Sequence, residues 1–220
     1  MLRWGRASAL RAELLLGAAD LKYSAPHDFA RACYKGQLMP ISPEVRERAA
    51  KIKILLMDVD GVLCDKMYFI PDGAGNVIEF KGFDAQDGIA LQWCQWKGMK
   101  TGIISGRDSP SVVERARQCG MTYVYQGHIE KIPILEAIQA DAKATAEEMA
   151  FIGDDLTDIV VMHRVGLGIA VANARAEVKR EAHYVTEARG GQGAVREAIE
   201  MILHARGQWG EILDKYEVKR

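Results

Sequence analysis

Apolar and polar residues follow more than one period along the chain. Five of the six residues from 54 to 59 are apolar, and the run closes on Asp58, Asp60 and Gly61. A short unbroken apolar run predicts a strand buried on both faces. Residues 66–70 and 76–80 predict two further strands, with Pro71-Asp72-Gly73-Ala74-Gly75 between them. Turn-forming residues between two such runs mark a β-hairpin. A helix is predicted over 89–97, with Gly98 as its stop. Beyond it, strands are predicted at 100–104, 123–125, 149–152, 167–171 and 184–185. They alternate with helices at 110–118, 131–139, 156–165, 174–181 and 194–206, and residues 146–148 form a short turn. Repeated β-α units require a parallel sheet with right-handed crossovers. The expected architecture is α/β: a Rossmann-like parallel sheet with helices on both faces and a hairpin inserted after the first strand.

The amino-terminal part reads differently. Residues 4–16 form a mildly amphipathic helix candidate, and Ser24-Ala25-Pro26 breaks the pattern. The apolar stretch 14–19 is too short, and too closely flanked by charge, for a secretory signal. Ser42 is placed to cap a helix over 43–50 that starts with Pro43. The compact domain is therefore expected to span 39–220, with 1–38 as an extension that carries no motif.

Composition narrows the function. The chain has 220 residues, 49% of them hydrophobic, enough for one well-buried core. A formal charge of −1 excludes a strong nucleic-acid or anionic-membrane binder. Cys33, Cys64, Cys94 and Cys119 lack metal-type spacing and read as reduced thiols in a cytoplasmic protein. No apolar run reaches the length of a membrane span.

The candidate chemistry lies where predicted strands end. Asp58 and Asp60 are two apart on an extended chain, so both side chains face one crevice. Parallel α/β sheets bind their ligands at that edge. The next strand ends in Ser105-Gly106-Arg107, where a hydroxyl and backbone amides can hold a phosphate oxygen at a helix mouth. Lys131 stands at a later helix start. Another strand ends in Gly153-Asp154-Asp155-Leu156-Thr157-Asp158. Each feature alone has a plain reading, as helix cap, turn or solvated lysine. Together they gather more carboxylates than one crevice tolerates without a bound cation.

With these motifs, residues 52–207 resemble the haloacid dehalogenase superfamily of phosphotransferases. The carriers are Asp58-Val59-Asp60-Gly61-Val62, Ser105, Lys131, and Gly153-Asp154-Asp155 with Asp158. The closer resemblance is to its small capless subclass, which includes the 3-deoxy-D-manno-octulosonate 8-phosphate phosphatases. It rests on the hairpin in place of a cap, on Phe83-Asp84-Ala85-Gln86-Asp87-Gly88, on Tyr125-Gln126-Gly127, and on Gly190-Gly191-Gln192-Gly193-Ala194-Val195-Arg196-Glu197. The resemblance implies Asp58 as the nucleophile, Asp60 as general acid and base, and Lys131 as the charge-neutralising catalytic lysine. It implies Mg2+ held by Asp58, Asp154 and the backbone carbonyl of Asp60, with Asp155 and Asp158 in support. Ser105, Gly106, Arg107 and Asp87 are the implied substrate-binding residues. The substrate would be a small phosphorylated sugar acid, either the octulosonate 8-phosphate or a nonulosonate 9-phosphate. Gln86 stands where family members commonly carry Arg or Lys, which leaves that choice open. Related capless modules also occur as non-catalytic assembly domains, but the presence of Asp58, Asp60, Lys131 and Asp154 favours an enzyme. The family implies a homotetramer packed through its hairpins, with neither nucleic acid nor membrane as partner.

Overall fold

The structure, a computed structural model, describes residues 41–219. The expected helix over 4–16 lies outside them. Helix α1 (Pro43–Lys51) begins where its sequence dictates: the Ser42 side chain accepts from the Val45 amide at 3.2 Å, and Pro43 needs no donor in the first turn. Strand β1 (Ile54–Met57) follows, buried along its whole length. Each of its side chains contributes about 2 kcal/mol of burial, so its apolar run fixes this strand at the centre.

Six parallel strands form the sheet. β1 lies between β4 (Lys100–Ile104) and β6 (Met149–Gly153). β5 (Tyr123–Tyr125) flanks β4, while β7 (Leu167–Ala170) and β8 (Tyr184–Val185) extend the other edge. In register, Met57 sits opposite both Ile103 and Ile152. The ends of β1, β4 and β6 are therefore level to within one residue, and the residues that follow them, Asp58, Ser105 and Asp154, come from adjacent strands.

Helix α2 (Ala85–Trp96) begins four residues before its expected start at 89. The Asp84 carboxylate accepts from the Gln86 amide at 2.6 Å and the Asp87 amide at 3.2 Å, and this cap outweighs the cost of Gly88 in the first turn. Helices α3 (Pro110–Gln118), α4 (Ile132–Ala142), α5 (Leu156–Met162), α6 (Ala176–Glu181) and α7 (Ala194–Ala205) follow the predicted order. Helix α8 (Trp209–Lys215) was not anticipated. It is seated by aromatic packing: the Trp93 and Trp209 rings lie 5.5 Å apart edge-on, and Trp93 Nε1 donates to the Tyr216 hydroxyl at 3.2 Å.

The hairpin is longer than the pattern suggests, pairing β2 (Cys64–Pro71) with β3 (Val77–Phe83). Its register shifts between Cys64 and Met67. Tyr68 lies opposite Phe80 and Ile70 opposite Ile78, so these four share a face, and each is about half exposed. The other face pairs Phe69 with Glu79 and Met67 with Lys81. The hairpin thus turns two of its charged residues inward and an apolar face outward, the reverse of a solvated flap.

Candidate active site

Lys131 organises the crevice. It occupies the N-cap position of α4 and is only 3% exposed. Its Nζ donates to Asp58 Oδ1 at 2.8 Å and to Asp158 Oδ1 at 2.7 Å. The other oxygen of Asp158 accepts from the amides of Asp154 at 2.9 Å and Asp155 at 3.2 Å. Asp158 is fully buried yet satisfied at both oxygens, so it serves as a strut that holds the β6–α5 turn and the lysine together. Asp155 caps α5 through Leu156 N at 2.7 Å.

Asp58, Asp154 and Asp158 each bring one carboxylate oxygen to within 4.8 Å of the others. Asp154 Oδ1 is buried and has no hydrogen-bond partner among the described residues. An orphaned buried carboxylate oxygen beside a second carboxylate is a fit for a hard divalent cation with oxygen ligands. The electrostatics agree. Burial, above all, pushes the Asp58 carboxyl up to about 6, against the pull of Lys131. Burial and then the charges of Asp158, Asp58 and Asp155 push Asp154 up to about 7. Burial also opposes the charge on Lys131, but Asp58 and Asp158 outweigh it and raise its pKa. A cation here would reverse the shifts of both carboxylates.

Asp60 stands apart from that cluster. Its Oδ1 accepts from Lys81 Nζ at 2.5 Å, and Lys81, on β3, is 1% exposed at its side chain. Arg107 Nε approaches Asp60 Oδ2 at 3.9 Å, and another Arg107 nitrogen lies 3.6 Å from Glu79. The backbone turn just after the two aspartates is held tightly. Gly61 has φ +95°, and a Cβ there would fall 2.0 Å from Asp154 Oδ2, so only glycine fits. Asn173 clamps this turn, donating to the Gly61 carbonyl at 2.9 Å while its own oxygen accepts from the Gly190 amide at 2.6 Å.

Known proteins share this frame. The profile of the haloacid dehalogenase-like hydrolases matches residues 116–199. The 3-deoxy-D-manno-octulosonate 8-phosphate phosphatase KdsC of Yersinia pestis is 38% identical over 167 residues, covering 76% of this chain and 88% of its own. The chain belongs to the 3-deoxy-D-manno-octulosonate 8-phosphate phosphatase family of haloacid dehalogenase-like hydrolases. The crystal structure of the Yersinia pestis enzyme superposes with TM-score 0.74 at 37% identity, covering 78% of this chain and 91% of its own. The enzyme of Moraxella catarrhalis, solved with a magnesium ion, a phosphate ion and a KDO molecule, gives TM-score 0.74 at 35% identity, covering 79% and 98%.

In this phosphatase fold, the expected residues fall into two groups. Asp58, Asp60, Ser105, Gly106, Lys131, Asp154 and Asp158 all lie at the carboxyl edge of the sheet or in the turns just beyond it. Ser105 is buried, and its hydroxyl oxygen accepts from the Arg107 amide at 3.2 Å, leaving its proton free to donate. Arg107 is half exposed and sits 5.9 Å from the Phe69 ring, at the rim. Asp87 requires a correction. It was expected to bind substrate, but it is fully buried and accepts from the Arg196 amide in the first turn of α7 at 2.8 Å. An acidic side chain at a helix amino end satisfies orphan donors there, so Asp87 joins α2 to α7. The Asp60 side chain pairs with Lys81 outside the carboxylate cluster, and its backbone carbonyl is the ligand expected for a metal. Lys81 and Asn173 went unrecognised in the sequence. For Lys81 a signal existed: Glu79 and Lys81 are two apart in a strand and so share one face, opposite Ile78 and Phe80.

Proposed function

We propose that the chain is a Mg2+-dependent phosphoric monoester hydrolase that converts 3-deoxy-D-manno-octulosonate 8-phosphate to the free sugar acid and phosphate. The observation that carries this reading is Lys131 bridging Asp58 and Asp158 beside the unpartnered oxygen of Asp154. Family membership supplies the substrate class.

Asp58 attacks phosphorus, and the bond from phosphorus to the sugar oxygen breaks as Asp60 gives its proton to that oxygen. Asp60 then takes a proton from water, whose oxygen attacks the aspartyl-phosphate and releases phosphate and Asp58. Lys131 offsets the repulsion between the Asp58 carboxylate and the phosphate dianion. Mg2+, held by Asp58, Asp154 and the Asp60 carbonyl, supplies further positive charge at the phosphate when bound. The Ser105 hydroxyl and Gly106 amide hold a non-bridging oxygen, and Arg107 meets the sugar carboxylate from the rim. Gln86, exposed in the first turn of α2, keeps a nonulosonate 9-phosphate as the second substrate.

The protein is read as a cytoplasmic homotetramer. In support, Tyr68, Ile70, Ile78 and Phe80 form a half-exposed apolar hairpin face, and such a face favours a second copy of itself. No helix among the described residues is long and apolar enough to cross a membrane. Phosphate release from the octulosonate 8-phosphate, a nonulosonate 9-phosphate and hexose 6-phosphates, with Mg2+ and with chelator, tests the activity. The octulosonate should give the highest kcat/KM, with no release in chelator. Failure to release phosphate from either sugar acid would overturn the reading.

A further inference from the structure

The side chain on the hairpin's inward face that touches the reacting groups is Lys81. Its burial is unusual for a lysine, because an ammonium is rarely this deep without a partner. The partner is Asp60 Oδ1, at 2.5 Å. Asp60 is itself 22% exposed at its side chain, so it faces the crevice while its other oxygen remains open. The Arg107 approach to that second oxygen, at 3.9 Å, is beyond hydrogen-bond length.

We infer that Lys81 is a positioning residue for Asp60. It pins Oδ1 from the hairpin side, so that the carboxylate cannot rotate and Oδ2 alone is presented for proton transfer. The inference rests on the proposed role of Asp60 in the phosphatase reaction. The chain path supports it. β3 carries Lys81 to Asp60 and, two residues earlier, Glu79 to Arg107 at 3.6 Å. β2 begins at Cys64, four residues beyond Asp60, and the Gly61 amide donates to the Cys64 carbonyl at 2.7 Å. The register shift between Cys64 and Met67 falls next to Lys81, which pairs with Met67. Bulges of this kind re-aim side chains beside active sites. The hairpin therefore does more than replace a cap: its seating sets the orientation of the acid and base. Proton transfer is sensitive to such alignment, since a general acid or base contributes roughly 10²–10⁴-fold only at hydrogen-bond geometry.

The test is a double-mutant cycle in saturating Mg2+ with the octulosonate 8-phosphate. Lys81→Met should lower kcat roughly 100-fold with KM within about threefold, and Lys81→Arg should restore most of that loss. In an Asp60→Asn background, measured by single turnover, adding Lys81→Met should change the rate by less than about twofold, because the group it positions is already gone. A rise in KM instead of a fall in kcat would assign Lys81 to substrate binding. A multiplicative loss in the Asp60→Asn background would assign it to the fold. Either result overturns the inference, as does a fully active Lys81→Met. If Lys81→Met does not fold, a Lys81→Arg enzyme as impaired as Lys81→Ala overturns it. Asp60→Asn alone separates the two readings: if it is fully active, the proposed role of Asp60 has failed whatever Lys81 does.

Discussion

Replacing Lys131 by Met should both inactivate and destabilise the protein, and the structure sets the scale of each effect. The side chains involved are 3%, 15% and 0% exposed for Lys131, Asp58 and Asp158. Removing the cation leaves two close carboxylates with no counter-charge, one of them fully buried. Breaking a buried pair from one side costs about 3–5 kcal/mol. The partial exposure of Asp58 and the two amides that still serve Asp158 place the cost near the lower end, about 3 kcal/mol. At roughly 2–4 °C per kcal/mol for a domain of this size, the melting temperature should fall by about 6–12 °C. The sign of the pH dependence is fixed as well. The pKa of Lys131 is raised in the folded state from its usual 10.5. Its contribution is therefore fully present below about 10.5 and lost as pH rises through the folded value. The gap between wild type and Lys131→Met should accordingly persist from neutral pH to about 10 and close above it. Added Mg2+ should raise the melting temperature of the variant more than that of wild type, because it returns positive charge to the same carboxylates. Calorimetry from neutral to alkaline pH, with and without Mg2+, reads all of this. A variant melting within about 2 °C of wild type would refute the view that Lys131 compensates these carboxylates.

Three further outcomes follow from the same structure. The Asp87 carboxyl is pushed up from 3.8 to about 7, chiefly by burial, so the folded protein keeps a proton that the unfolded chain sheds between those values. Stability should fall as pH rises through that window. Asp87→Asn, which keeps the acceptor for Arg196, should be neutral near pH 4 and more stable than wild type near pH 8, by up to roughly 4 kcal/mol; a less stable variant at pH 8 is the contrary result. Mg2+ binding must displace protons from Asp154 and Asp58, raised to about 7 and about 6. Titration calorimetry should therefore show affinity weakening as pH falls through that range, with protons released, and a pH-independent affinity would contradict it. Ile78→Asp/Phe80→Asp should break the assembly in light scattering, because each places a charge on the outward hairpin face; an unchanged mass, or a monomeric wild type, would sink the tetramer.

The order of elements was legible because the central strands are short unbroken apolar runs closed by polar residues, and Ile54 to Met57 is too short a run for a buried helix. The clustering of Asp58, Lys131 and Asp154 was legible too, since level strand ends bring such residues together in any parallel sheet of this kind. Three features were not. The start of α2 depended on Asp84 as a cap, four residues ahead of the helix expected from residue 89. Asp87 was expected to bind substrate on the strength of the resemblance; its partner is the amino end of α7, 109 residues away in the chain, and no local pattern encodes that contact. Lys81 falls just beyond the strand expected over 76–80 and was not singled out. Its burial depends on which face of the hairpin meets the sheet, and Tyr68, Ile70, Ile78 and Phe80 point the hydrophobic face outward. Such an outward apolar face fits the hairpin interface proposed above.

In the proposed reaction, Asp58 is the nucleophile of a Mg2+-dependent phosphatase. Phosphate release from the octulosonate 8-phosphate by wild type and by Asp58→Asn, at saturating Mg2+, tests it most directly. The substitution keeps the size of the side chain and an acceptor for Lys131 while removing nucleophilic charge. Turnover should fall by at least about a thousandfold, with an unchanged circular dichroism spectrum. Turnover of Asp58→Asn within tenfold of wild type would show that Asp58 is not the nucleophile.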